Sequence, residues 1–215
     1  MKTAFDVGCT DCDRLAVFLR EVKAKHPDYY AKPVPPFGDA EASLLIVGLA
    51  PGMHGANATG RAFTGDYAGV LLYDTLHRLG IASAPISASA DDALRLTGAR
   101  ISNAVKCLPP QNKPVAAEVN ACNHFLAADL ATLTPGSAVL ALGGIAHKAI
   151  IRALGLRQAD YKFGHAATHS LSESLTLFDS YHCSRYNTNT GRLTEEMFIT
   201  VMRMAAEHAR IGIFA

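Results

Sequence analysis

Leu44-Leu45-Ile46-Val47-Gly48, entered from Ser43, decides the fold. A short run with no polar alternation reads as a strand buried on both faces, which is the habit of parallel sheets. Similar runs return at Ala99–Val105, Ala138–Leu142 and Leu175–Tyr181. Segments with a helical apolar period lie around and between them: Asp13–Ala24, Val70–Leu79, Val115–Leu133 and Ala146–Leu154. A last helix starts after Thr194, a capping residue, with Glu195 and Glu196 in its first turn. Pro27–Pro36 reads as an extended connector, too short to divide domains. Strands that alternate with helices predict a three-layer α/β/α sandwich around a central four-stranded parallel sheet, with residues 1–215 forming one domain.

The chain has 215 residues, 49% hydrophobic and 18% charged, which excludes a disordered or low-complexity protein. Its formal net charge is +1, so binding to nucleic acid would need a local basic patch. The longest apolar runs are strand-sized, well short of the roughly 20 residues that cross a membrane. Met1-Lys2-Thr3-Ala4-Phe5-Asp6 has no apolar run behind its lysine and does not read as a leader. A cytoplasmic, monomeric protein is expected. In that compartment the five cysteines read as metal ligands or buried thiols rather than disulfides.

In open parallel sheets, ligands bind beyond the carboxyl ends of the strands. The loop after Gly48 is glycine-rich and runs to Asp66, and its backbone amides could face an anion. It matches neither GxxxxGK[ST] nor GxGxxG. The loop after the second strand starts at Asn103, whose amide suits the edge of a planar base, or simply caps the turn. Ile101–Ala117 and Tyr181–Arg192 contain no acid but do contain Lys106, Lys113, Arg185 and Arg192, a plausible track for phosphates. Asp66 also stands where it would cap the helix containing Val70. Cys9-x-x-Cys12 with Cys107 and Cys122 could hold a zinc ion or a cubane iron–sulfur cluster.

Taken together, Gly48-Leu-Ala-Pro-Gly52-x-His54-Gly-Ala-Asn-x-Thr-Gly-Arg61-x-Phe63-Thr-Gly-Asp66, Asn103-Ala-Val-Lys-Cys107-x-Pro-Pro-x-Asn-Lys-Pro114 and His182-x-Ser184-x-x-Asn-Thr-x-Thr-Gly-Arg192 resemble the uracil-DNA glycosylase superfamily. Within it they are most similar to family 5, the iron–sulfur type. With Cys9-x-x-Cys12-x-Arg14-Leu15 and the Leu193-Thr194 that follows Arg192, the resemblance spans residues 9 to 194. It implies a repair enzyme that flips a damaged nucleotide out of DNA and cuts its N-glycosidic bond.

By that resemblance Phe63 stacks on the base, Asn103 bonds its edge, and Ala50, Gly52 and His54 complete its pocket. His182 would donate to the leaving base. Leu49 and Ala50 stand where relatives carry a water-placing residue, which leaves Asp66 as the acid. Arg61, Lys106, Lys113, Ser184, Arg185, Tyr186 and Arg192 would meet DNA, with Arg185 favoured over Tyr186 to fill the gap in the stack. Cys9, Cys12, Cys107 and Cys122 would hold a four-iron four-sulfur cluster. Cys183 replaces the usual proline after the histidine, which loosens that loop.

The apolar Leu49-Ala50 corner predicts a broad pocket that admits uracil, hypoxanthine and other deaminated bases. The alternatives are an inactive damaged-DNA binder on the same fold and a phosphate-directed hydrolase. The second is weakened because only Arg61 and Asp66 offer charge in the first loop.

Overall fold

A computed structural model describes residues 5–212. Met1-Lys2-Thr3-Ala4, part of the stretch read as lacking a leader, lie outside the described residues. The strands are β1 (Phe37–Gly38), β2 (Leu44–Gly48), β3 (Ala99–Asn103), β4 (Ser137–Leu142), β5 (Thr168–Ser172) and β6 (Leu175–Ser180). They form one sheet in the order β1-β3-β2-β4-β6-β5. The inner four are mutually parallel, as the apolar runs predict. The antiparallel edges β1 and β5 were not foreseen.

The helices are α1 (Asp13–Lys25), α2 (Ala56–Thr59), α3 (Tyr67–Arg78), α4 (Ala116–Leu130), α5 (Gly144–Ala153), α6 (Arg185–Asn189) and α7 (Glu195–His208). Side chains alternate across the strands. Leu44 and Ile46 of β2 face a core with Leu72 and Leu76 of α3 and Phe198, Val201 and Met202 of α7. Leu45 and Val47 face a second core with Leu126 and Leu130 of α4 and Ile150 and Ile151 of α5. These are the three expected layers. Truncating a fully buried residue such as Phe198 to alanine would cost about 3–5 kcal/mol.

This winding sets the position of the site. The chain leaving β2 turns to the α3 face, whereas β3 and β4 lead to α4 and α5 on the other. A crevice therefore opens between these loops at the strand ends. Gly48 pairs directly with Asn103 in register, and the first loop continues the pairing through Val105 N–H to Leu49 O at 3.0 Å. Among the described residues no helix is long and apolar enough to cross a membrane.

Candidate active site

The crevice holds a pocket of about 420 Å³, within the usual range for a small-molecule site. Its walls include Ala50, Gly52, Phe63, Asp66, Asn103 and His182, drawn from the loops after β2, β3 and β6. The loop after β4 adds Gly143 to Ala146, and Asn112 reaches in from the proline-rich segment.

Asp66 both caps α3 and lines the pocket. Its Oδ1 caps α3 by accepting the Gly69 N–H at 2.9 Å, so this helix starts three residues before Val70. Oδ2 faces the first loop, where a Cβ on Gly52 would stand 3.5 Å away and one on Gly55 only 2.7 Å. Burial pushes the carboxyl pKa above its ordinary value, more than the Gly69 and Ala68 amides pull it down.

Phe63 adopts a left-handed backbone (φ 55°), rare for a bulky residue and a mark of a constrained site. Its carbonyl packs so closely on Gly69 that no side chain fits there. The phenyl ring lies nearly parallel to the His182 ring, 27° off, with centroids 5.9 Å apart. His182 is deeply set, and burial pulls its pKa down to about 4, so the imidazole is neutral near pH 7. Asn187 Nδ2 donates to the His182 carbonyl at 2.8 Å and holds this loop, whose Cys183 turns into the core. The loop is thus pinned from within despite the absence of proline. Asn103 is buried, and its Oδ1 has no hydrogen-bond partner among the described residues. A buried acceptor left unpaired costs free energy unless something arrives to meet it.

An aromatic floor, a polar amide, a neutral imidazole and a desolvated carboxylate therefore face one cavity at a sheet rim. A family model described as "Uracil DNA glycosylase superfamily" matches residues 35–206.

The chain belongs to the uracil-DNA glycosylase superfamily.

It is 45% identical over 203 residues to a type-5 uracil-DNA glycosylase of Thermus thermophilus, covering 92% of each chain. A type-5 enzyme of Pyrobaculum aerophilum is 41% identical over 207 residues, 94% of this chain and 90% of its own. A type-4 enzyme of the same organism is 36% identical over 130 residues, 60% of this chain and 58% of its own.

Not every residue expected at the site of this glycosylase-superfamily chain is there. His54 is turned out of the pocket: Nδ1 lies 2.8 Å from the Tyr29 hydroxyl, beside the His26 ring. Arg61 is 6% exposed and cannot meet a phosphate. Its guanidinium pairs with Asp92, bonds Ser87 at 3.1 Å and lies over the Phe37 ring at 4.3 Å. Lys106 is 1% exposed, and its ammonium bonds Asp129 at 2.8 Å and Ser102. The loop turns this lysine into the core because a buried carboxylate awaits it there. Both cations brace the loops that carry Phe63 and Asn103.

Lys113, Arg185, Tyr186 and Arg192 are exposed, and Ser184 both caps α6 and lines the pocket. Arg185 lies over the Tyr67 ring at 4.9 Å, whereas Tyr186 projects with 73% exposure. The loop after β4 reaches the rim, as expected of a loop at the carboxyl end of a parallel strand, but its pocket-lining residues Gly143–Ala146 carry no polar side chain that would mark them as site residues in sequence. Asn112 lies in a quoted motif, but its left-handed backbone (φ 57°), which turns it toward the cavity, leaves no mark in sequence.

Below His182, the buried Asp179 carboxylate bonds His147 Nδ1 at 2.8 Å and His169 Nε2 at 3.3 Å. These three could hold an ion, but they already satisfy one another and clamp the end of β6. Cys9, Cys12, Cys107 and Cys122 line a single small cavity between α1, α4 and the loop after β3. Burial, with mutual repulsion, pushes Cys107 up to about 12 and Cys122 to about 11. Thiolates here therefore call for a cation. Among the described residues the only three ligand groups within 4.8 Å of one another are His147, His169 and Asp179.

Gly48 is the contact on which the pocket depends. A Cβ there would stand 2.6 Å from Phe63 Cζ and would collide with Asn103 Oδ1. Gly48→Ala is expected to displace both side chains and lower single-turnover excision by about 100-fold, the scale of a 1 Å misplacement. A parental rate would show that neither position matters.

Proposed function

We propose that the chain is a monofunctional DNA N-glycosylase that excises uracil from DNA and leaves an abasic site. The observation that carries the reading is the convergence of Phe63, Asn103, His182 and Asp66 on one pocket, with Asn103 Oδ1 unpaired. The type-5 relatives support it. The flipped base stacks on Phe63, and its polar edge meets the Asn103 amide. As the C1′–N bond breaks, its electron pair goes to the base. The sugar becomes cationic and the base anionic. Neutral His182 donates a hydrogen bond to the developing base oxyanion, where a preorganised donor has most effect. Asp66 stabilises the sugar cation and takes the proton of the water that adds to C1′.

Tyr186 fills the gap in the stack. Arg185, Arg192, Ser184 and Lys113 meet the backbone. The pocket volume and the apolar Leu49-Ala50 corner suit a purine as well as a pyrimidine, so hypoxanthine is a further substrate.

The four cysteines would hold an iron–sulfur cluster: they line one cavity, and the Lys106 N–H points at Cys122 Sγ from 3.3 Å, the kind of hydrogen bond that cluster-bound sulfur accepts. When bound, such a cluster supplies a cross-link between α1 and the segment following Asn103. Protein purified without oxygen is expected to carry about four irons per chain and to absorb visible light. Cys107→Ser should lose both and melt at a lower temperature. Zinc without iron would refute the assignment.

The functional test uses protein in excess over duplexes carrying a single uracil or hypoxanthine, read as alkali-labile sites. Cleavage at uracil is expected. Tight binding without cleavage would make the chain a damaged-DNA binder instead.

A further inference from the structure

Beside the catalytic pocket, between α4 and α5, lies a second groove of about 250 Å³. Ile145, 44% exposed, is a wall of both. Lys148 and Arg152 stand along the new groove one helical turn apart, with Asn120 opposite. No acidic residue lines it. Neither cation has an ion-pair partner among the described residues. The nearby acids are committed elsewhere: Glu118 to Arg14 at 2.7 Å and to the Val115 amide, and Asp160 to Arg157 at 3.8 Å. Gln158 shapes the floor by donating from Nε2 to the Lys148 carbonyl at 3.1 Å.

We infer that this groove seats the phosphate backbone of the duplex flanking the flipped nucleotide, through Lys148 and Arg152. The inference rests on the glycosylase reading, because a nucleotide in the pocket fixes where the strand leaves it. A strand that leaves across Ile145 comes within reach of both cations. Their separation of one turn, about 5.4 Å, is on the order of the step between successive phosphates. An acid-free channel with two unpaired cations attracts a polyanion whatever its base sequence, and it does so despite a net charge of only +1.

The test is the salt dependence of duplex binding for the full-length holoprotein. Lys148→Gln/Arg152→Gln should flatten the slope of log K against log salt by about 2 and weaken binding about 10-fold. Single-turnover excision at saturating DNA should stay parental, because neither side chain lines the catalytic pocket. Arg203→Gln, an exposed change on α7 across the sheet, should leave the slope alone. A parental slope in the double variant, or an equal loss in Arg203→Gln, would overturn the inference. The titration reads the groove whether or not base is released. Failure of the parent to excise uracil would instead refute the functional reading, so the two failures are distinguishable.

Discussion

Asp66→Asn is expected to fold at least as stably as the parent and to excise uracil about 1,000-fold more slowly, within the range for loss of a positioned general base. Asparagine caps a helix as well as aspartate does, so the bond from Gly69 N–H to the α3 cap survives. Only the charge is lost. That charge is costly to the fold, since burial raises the carboxyl pKa in the native state. The folded chain binds this proton more readily than the unfolded chain. At pH values above the unfolded carboxylate pKa, ionised Asp66 therefore subtracts stability, and its amide does not. The parental rate should fall as pH drops through the raised pKa, and Asp66→Asn should lack that limb. Urea midpoints and single-turnover rates from pH 4 to 8 check both parts. A variant as destabilised as it is slow would reduce Asp66 to a capping residue.

His182→Ala is expected to cost about 100- to 1,000-fold in rate, the scale for removal of one donor to a developing oxyanion. The donor must be the neutral imidazole, because burial pulls its pKa down to about 4. No histidine titration should then appear in the rate profile from pH 5 to 8. An imidazolium mechanism would show one. The stability effect has a definite sign. Below about pH 6.5 the unfolded histidine gains a proton that the folded one refuses, so His182 subtracts stability as pH falls toward 4. His182→Ala should blunt that acid loss even as it slows the chemistry. Its Phe63 neighbour makes base stacking a separate contribution, which Phe63→Ala would read in binding rather than in the pH profile.

Much of the architecture is legible in the chain because burial on two faces leaves a plain mark. Leu44–Val47 and Ala138–Leu142 carry no polar break, and both become inner parallel strands with every residue buried. Thr194 caps α7 where its side chain and the following acids foretell. The edge strands left no such mark. Phe37–Gly38 is too short to show a period, and Thr168–Ser172 is largely polar and exposed. α6 was read as loop because its five residues, Arg185–Asn189, bury no side chain.

The sequence alone determined the inner sheet and singled out Phe63, Asp66, Asn103 and His182, which the fold brings to one pocket and to which we assign the chemistry. Only the tertiary structure decided which charges are free. Lys106 sits in a stretch that reads as basic and Arg61 in the glycine-rich first loop, yet they are consumed by Asp129 and Asp92, 23 and 31 residues away. Lys148 and Arg152 sit in a helix that reads as ordinary and remain unpaired beside the pocket. A charge is neutralised by what stands within a few ångströms in space, and separation along the chain carries almost no information about that distance.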